Sequence, residues 1–246
     1  MHYLLAVIHY KNQSIEDLME PFYEGLHVEP HVIRTKAELI EKAKNLKVSI
    51  LKREATEKYN LTEWERRLIS CKTDEEFYNA LKDEDSLYNE NGDELSTYNP
   101  YSKWDWYEIG GRWNHLLKTK NGIKTNSCYL KELDLEPDTE LYADAIAYWK
   151  KNIEGNSTFN EFDAMNDELK KCYVEKYGSK ENFARLNAIL ETHAVLDCKG
   201  QWHEPEFKWD WEERRKEEIS WHAKYYDNFL KNTDNDLLIT IVDYHM

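Results

Sequence analysis

Two β-rich apolar runs stand at opposite ends of this chain, and they restrict its fold more than any other feature. The first is Leu4 to Ile8 within MHYLLAVIHY; the second is LLITIVDYH, residues 237–245. Their lengths and β-branched content suit central strands rather than helices. Strands at the two ends of a chain commonly pair in one sheet, so residues 2–10 and 237–245 are predicted neighbours.

The sequence between them is largely helical. Thr35-x-x-Glu38, Thr62-x-x-Glu65 and Thr73-x-x-Glu76 match the capping box, in which hydroxyl and carboxylate each satisfy a free backbone N–H. Apolar residues follow at helical spacing: Leu39, Ile40 and Ala43, then Phe77, Ala80 and Leu81. Phe159, Phe162, Met165, Leu169 and Cys172 predict a further helix ending near Gly178, and Ser179 starts another carrying Phe183, Leu186 and Leu190. A last helix over about 211–231 is predicted to bury Trp211, Ile219, His222, Tyr226 and Phe229. Asn121-Gly122 and Lys199-Gly200 each separate strand-like segments and predict hairpins. The expectation is an α+β fold with an antiparallel sheet, βαββαβ and so ferredoxin-like once a large helical insertion is set aside. With 8 Gly and 5 Pro in 246 residues, no flexible linker is visible. The chain therefore reads as a single domain, 1–246, with helical elaborations at about 50–90 and 140–190.

The segment richest in chemistry is Tyr98 to His115, which holds Trp104, Trp106 and Trp113. Alternation predicts a short strand with Trp104 and Trp106 on one face and Asp105 and Tyr107 on the other. Gly110-Gly111 permits backbone conformations closed to other residues, and Arg112 follows with its planar five-donor fork. These parts suit an anion site: rings to stack on a base for ~1–3 kcal/mol each, backbone donors forming a small nest, and a guanidinium. The candidate binding set is Lys103, Trp104, Trp106, Tyr107, Gly110, Gly111, Arg112 and Trp113. The alternative is that this Trp-rich turn simply packs the sheet against its helical insertion.

Three stretches, NPYSKWDWYEIGGRW (99–113), AVLDCKGQWHE (194–204) and LLITIVDYHM (237–246), together resemble an uncharacterised group of proteins encoded by bacteriophages and prophages. The resemblance implies a setting, the cytoplasm of an infected bacterium, and no mechanism. After His203 the group's glycine-rich turn is replaced here by the charged EPEFKWDWEERRK, which repeats Lys-Trp-Asp-Trp at 208–211. Cluster and setting together give the expected function: capture of an anionic, nucleotide-like small molecule, one use being to sequester a host immune signal.

Two rival readings are weighed against it. With 33 basic and 48 acidic residues the net charge is −15, which argues against direct nucleic-acid binding. An acidic surface of this kind can instead engage a basic host defence protein. The other rival is a phosphodiesterase-type hydrolase built from His9, Asp243, His245 and His193, with His2 as a further neighbour of the terminal strand. His203-Glu204 lacks the second His of a zinc motif, and no catalytic motif is recognised, so no catalytic residue, metal or cofactor is assigned. Cys71, Cys128, Cys172 and Cys198 are too scattered for a metal or redox motif and read as reduced thiols. No run reaches the ~20 apolar residues of a membrane span, and the N-terminus has no basic leader, so a cytoplasmic protein without a membrane role is expected. A homo-oligomer is compatible with all of these readings.

Overall fold

The computed structural model describes residues 1–56, 60–155, 166–231, 234 and 236–246. Phe159, Phe162 and Met165, predicted to lie on a helix, fall outside the described residues. The chain divides into two compact units, one made of residues 1–24 with 101–246 and the other of residues 25–100. No glycine- or proline-rich linker marks either boundary, so the sequence alone gives no place to divide the chain.

The larger unit begins with β1 (His2–Tyr10) and the short α1 (Ile15–Met19), capped by the Ser14 hydroxyl. The second unit comprises β2 (His31–Arg34), α2 (Lys36–Thr56), α3 (Glu63–Ser70), α4 (Asp74–Leu81), β3 (Leu87–Tyr88) and β4 (Glu94–Ser96). All three predicted capping boxes form there, each with its reciprocal pair of bonds. Ala43, Ile50, Leu68, Cys71 and Phe77 make that unit's core. Its strands form a sheet in the order β2-β4-β3, in which Glu94 is buried and ion-paired with Arg34 at 2.7 Å.

The larger unit resumes with β5 (Trp106–Ile109), β6 (Leu117–Lys118), β7 (Lys124–Thr125) and β8 (Ser127–Tyr129). Then come α5 (Thr139–Asn152), α6 (Asp167–Tyr177), α7 (Lys180–Asn187), β9 (Ala194–Leu196), β10 (Trp202–His203), α8 (Trp211–Tyr225) and β11 (Leu237–His245). The two end strands do pair: β1 and β11 run antiparallel in full register, from His2 opposite His245 to Tyr10 opposite Leu237. The sheet order is β10-β9-β1-β11-β5, with β8 also on β11. Only β1 and β9 are parallel within it. As in a ferredoxin-like sheet, β1 lies between the last strand and a parallel hairpin strand, but that neighbour, β9, is the first strand of its hairpin rather than the second. Both predicted hairpins are present, with Gly122 and Gly200 at positive φ in their turns.

Both faces of this sheet are covered, which explains why Leu4 to Ile8 reads as a continuous apolar run. Leu5 and Val7 enter one cluster with Met19, Ala194, Leu196, Val242 and Tyr244. Ala6 and Ile8 enter the other with Leu117, Val195, Tyr225, Ile239 and Ile241. The helices make a third cluster, around Trp149, Leu169, Tyr173, Tyr177, Phe183 and Ile219. The last helix departs from expectation at its start. Trp211 is 62% exposed, because α8 begins there and its core-facing residues start a turn or more later with Ile219. All four thiols are unpaired; three are buried and Cys198 is half-buried. No helix among the described residues is long and apolar enough to cross a membrane.

Candidate functional site

The terminal strands end in a polar cluster fixed by the Gly-Gly turn. Asp243, 1% exposed, receives Nδ1–H of His2 on Oδ1 at 2.8 Å and the backbone N–H of Arg112 on Oδ2 at 3.1 Å. An ionised carboxylate can only accept, so these bonds require the His2 proton on Nδ1. Gly111 has φ +45° and lies so close that a Cβ there would sit 2.6 Å from Asp243 Oδ2. Gly110, at φ +79°, donates its N–H to Ile241 O at 2.8 Å. Two of the backbone donors anticipated for an outside anion, those of Gly110 and Arg112, are therefore engaged by the protein's own strand.

The other predicted site residues divide in the same way. Trp104 packs on Tyr107 edge to face at 4.8 Å and donates its indole N–H to Met19 O, within the cluster of Leu5, Val7 and Tyr244. Lys103 is paired with Glu204 at 2.6 Å. Trp106 is 46% exposed, 5.7 Å from the His2 ring and opposite His245 in register. The expected shared face for Trp104 and Trp106 is not formed. Regular pairing begins only at Trp106, so the two-residue alternation does not extend back to Trp104. Arg112 is exposed and Trp113 half-buried.

Trp113 borders a cavity of about 700 Å³. Its walls include Tyr3, His193, Phe207 and Trp221 as well as His2. Of the four glutamates among its described lining residues, Glu204 pairs with Lys103, Glu206 with Lys208 and Glu218 with Arg215. Glu191, the fourth, lies 3.2 Å from His222 Nε2, and burial lifts its carboxyl to about 7. Arg214 is the one Arg or Lys among the described residues that line the cavity; its Nε–H donates to Lys208 O and its guanidinium lies 4.6 Å over the Phe207 ring. Among the described residues it has no carboxylate partner. His2 also lines a shallower hollow of about 350 Å³ with Asp105, Trp106 and His245, so this residue borders both spaces.

A third space, about 550 Å³, lies among α5 to α8 and shares Glu191 and Glu218 with the first. Here Tyr177 Oη and His222 Nδ1 are 2.6 Å apart, and burial lowers His222 to about 4 while raising Tyr177.

The histidine set expected for a hydrolase is only partly assembled. His9 stands opposite Leu238 at the far end of the strand pair, and its Nε2 is bound to Thr240 Oγ1 at 2.9 Å. It cannot join Asp243, and His2 takes that place. His193 stacks on Tyr3 at 4.4 Å and faces the large cavity instead. Asp105, not singled out in the sequence, accepts from His245 Nδ1 at 2.9 Å, and this bond holds its carboxyl below the usual range. Arg214, Phe207 and Trp221 were also not singled out, although the repeated Lys-Trp-Asp-Trp at 208–211 marks the loop that carries Phe207 and leads into α8. No group of three or more His, Cys, Asp or Glu among the described residues is arranged to hold a metal ion. No protein-family model, no curated protein and no solved structure matches this chain.

Proposed function

We propose that this chain is a binding protein for an anionic, nucleotide-like small molecule, held in the cavity beside Trp113. The observation that carries this reading is the cavity's composition: aromatic walls around a guanidinium that no carboxylate among the described residues neutralises. Trp113 and Trp221 offer ring surface for a base, worth ~1–3 kcal/mol per stacked ring. Arg214 stacks on Phe207 and keeps donors for a phosphate or carboxylate. Three of the four wall glutamates are ion-paired and the fourth is protonated below about pH 7, so the lining is less acidic than its composition suggests. Of the eight residues expected in sequence, Trp113 is the one that lines this cavity among the described residues.

This reading fits the phage-like setting, where capture of a host signalling nucleotide needs affinity alone. Calorimetric titration with a panel of linear and cyclic mono- and dinucleotides tests it. At least one is expected to bind, and Trp113→Ala or Trp221→Ala is expected to weaken it about tenfold or more. Failure of every nucleotide to bind the folded protein removes the reading.

A further inference from the structure

His2 and His245 form two aspartate–histidine dyads side by side. His2 Nδ1 is held by Asp243 at 2.8 Å and His245 Nδ1 by Asp105 at 2.9 Å. The rings lie 5.2 Å apart at 66° and border the same hollow, beside the exposed indole of Trp106. In both, the carboxylate fixes the proton on Nδ1 and leaves Nε2 as the working atom. Neither Nε2 has a hydrogen-bond partner among the described residues. The dyads differ in burial: the Asp243 side chain is 1% exposed and that of Asp105 41%. The strands explain the placement, because His2 and His245 are direct cross-strand partners and Trp106 is the partner of His245 on its other side.

We propose that this pair is an acid–base catalytic site that hydrolyses a phosphodiester of the bound nucleotide. The proposal rests on the binding reading above, since His2 also borders the large cavity and a nucleotide seated there would reach it. His2, backed by the buried Asp243, acts as base. Its Nε2 takes a proton from water as the water oxygen bonds to phosphorus. The P–O bond to the leaving alcohol breaks, and protonated His245 delivers its Nε2 proton to that oxygen. The products are a phosphomonoester and an alcohol; exchange with solvent returns a proton from His2 and to His245. Nothing is oxidised and no co-reactant beyond water is required. Asp243 and Asp105 are positioning residues, acting only through their histidines. Two positioned histidines suit this reaction because it needs one proton removed and one supplied, and each such transfer contributes ~10²–10⁴-fold.

The test incubates the whole chain with a cyclic dinucleotide and with its linear counterpart, follows products by phosphorus NMR and mass spectrometry, and measures binding in parallel by calorimetry. The wild type is expected to open the ring to a phosphomonoester with a bell-shaped pH dependence. His245→Ala is expected to lose turnover at least ~100-fold, with a much smaller change in affinity. Asp105→Asn is expected to lose about tenfold and to displace the acid-group limb of the pH profile, which a purely structural role would leave in place. Binding by the wild type with the nucleotide returned intact overturns the catalytic proposal and leaves the binding reading standing. Turnover undiminished in His245→Ala also overturns it. Absence of any binding removes both.

Discussion

The Gly110–Arg112 turn and the cavity beside Trp113 are adjacent in sequence yet have opposite fates. In the turn, backbone donors meet Ile241 and Asp243, and Gly111 presses on the Asp243 side chain with no room for a ligand. In the cavity, ring faces and the Arg214 guanidinium border open space. A cluster of aromatic, glycine and arginine residues thus has internally partnered groups on one side and borders open space on the other. What separates them is whether each polar group already has a partner within the fold.

The sharpest way to break this comparison is to disturb the frame. Gly111→Ala places a methyl against Asp243 at a positive φ, so a loss of at least about 2 kcal/mol is expected by denaturant unfolding. A stable Gly111→Ala protein would mean that the turn is open after all. A smaller effect sharpens the picture of the wall shared with the helical cavity. Folding raises Glu191 from 4.5 to about 7, so the native state keeps a proton that the unfolded chain releases, and this contribution to stability declines as pH rises through 4.5 to 7. His222 works the other way: lowered from 6.5 to about 4, it adds stability as pH rises over that range. The two oppose each other up to about pH 6.5. Glu191→Gln should therefore gain on the wild type between pH 5 and 8, measured by thermal unfolding at each pH. The gain should be under about 1 kcal/mol, since some 35% of the Glu191 side chain meets solvent. No relative gain would place that carboxylate in a better-solvated setting than the cavity wall described here.

The frame was the more legible part of the sequence. The β1–β11 pairing, the hairpins at Gly122 and Gly200, and the three capping boxes all rest on local rules of periodicity, turn chemistry and cap bonding. The α+β class with a mainly antiparallel sheet follows from them. What stayed hidden depends on long-range partners. Trp104 and Trp106 look equivalent in sequence, but one indole N–H finds Met19 O across the sheet and the other ring meets His2. Lys103 looked free to meet an anion until Glu204, a hundred and one residues away, came into reach. His2 rather than His9 joins Asp243 because register, which end-to-end pairing alone does not specify, sets His2 opposite His245. Arg214 carried no local signal beyond a nearby four-residue echo, since its interest lies in a missing partner.

The frame-and-site division is tested most directly by comparing the two arginines in one nucleotide titration. Arg214→Ala is expected to weaken binding about tenfold, the loss of one charge-assisted contact. Arg112→Ala, whose backbone rather than side chain holds Asp243, should bind as the wild type does. The opposite ranking, with Arg112 essential and Arg214 dispensable, would contradict the account.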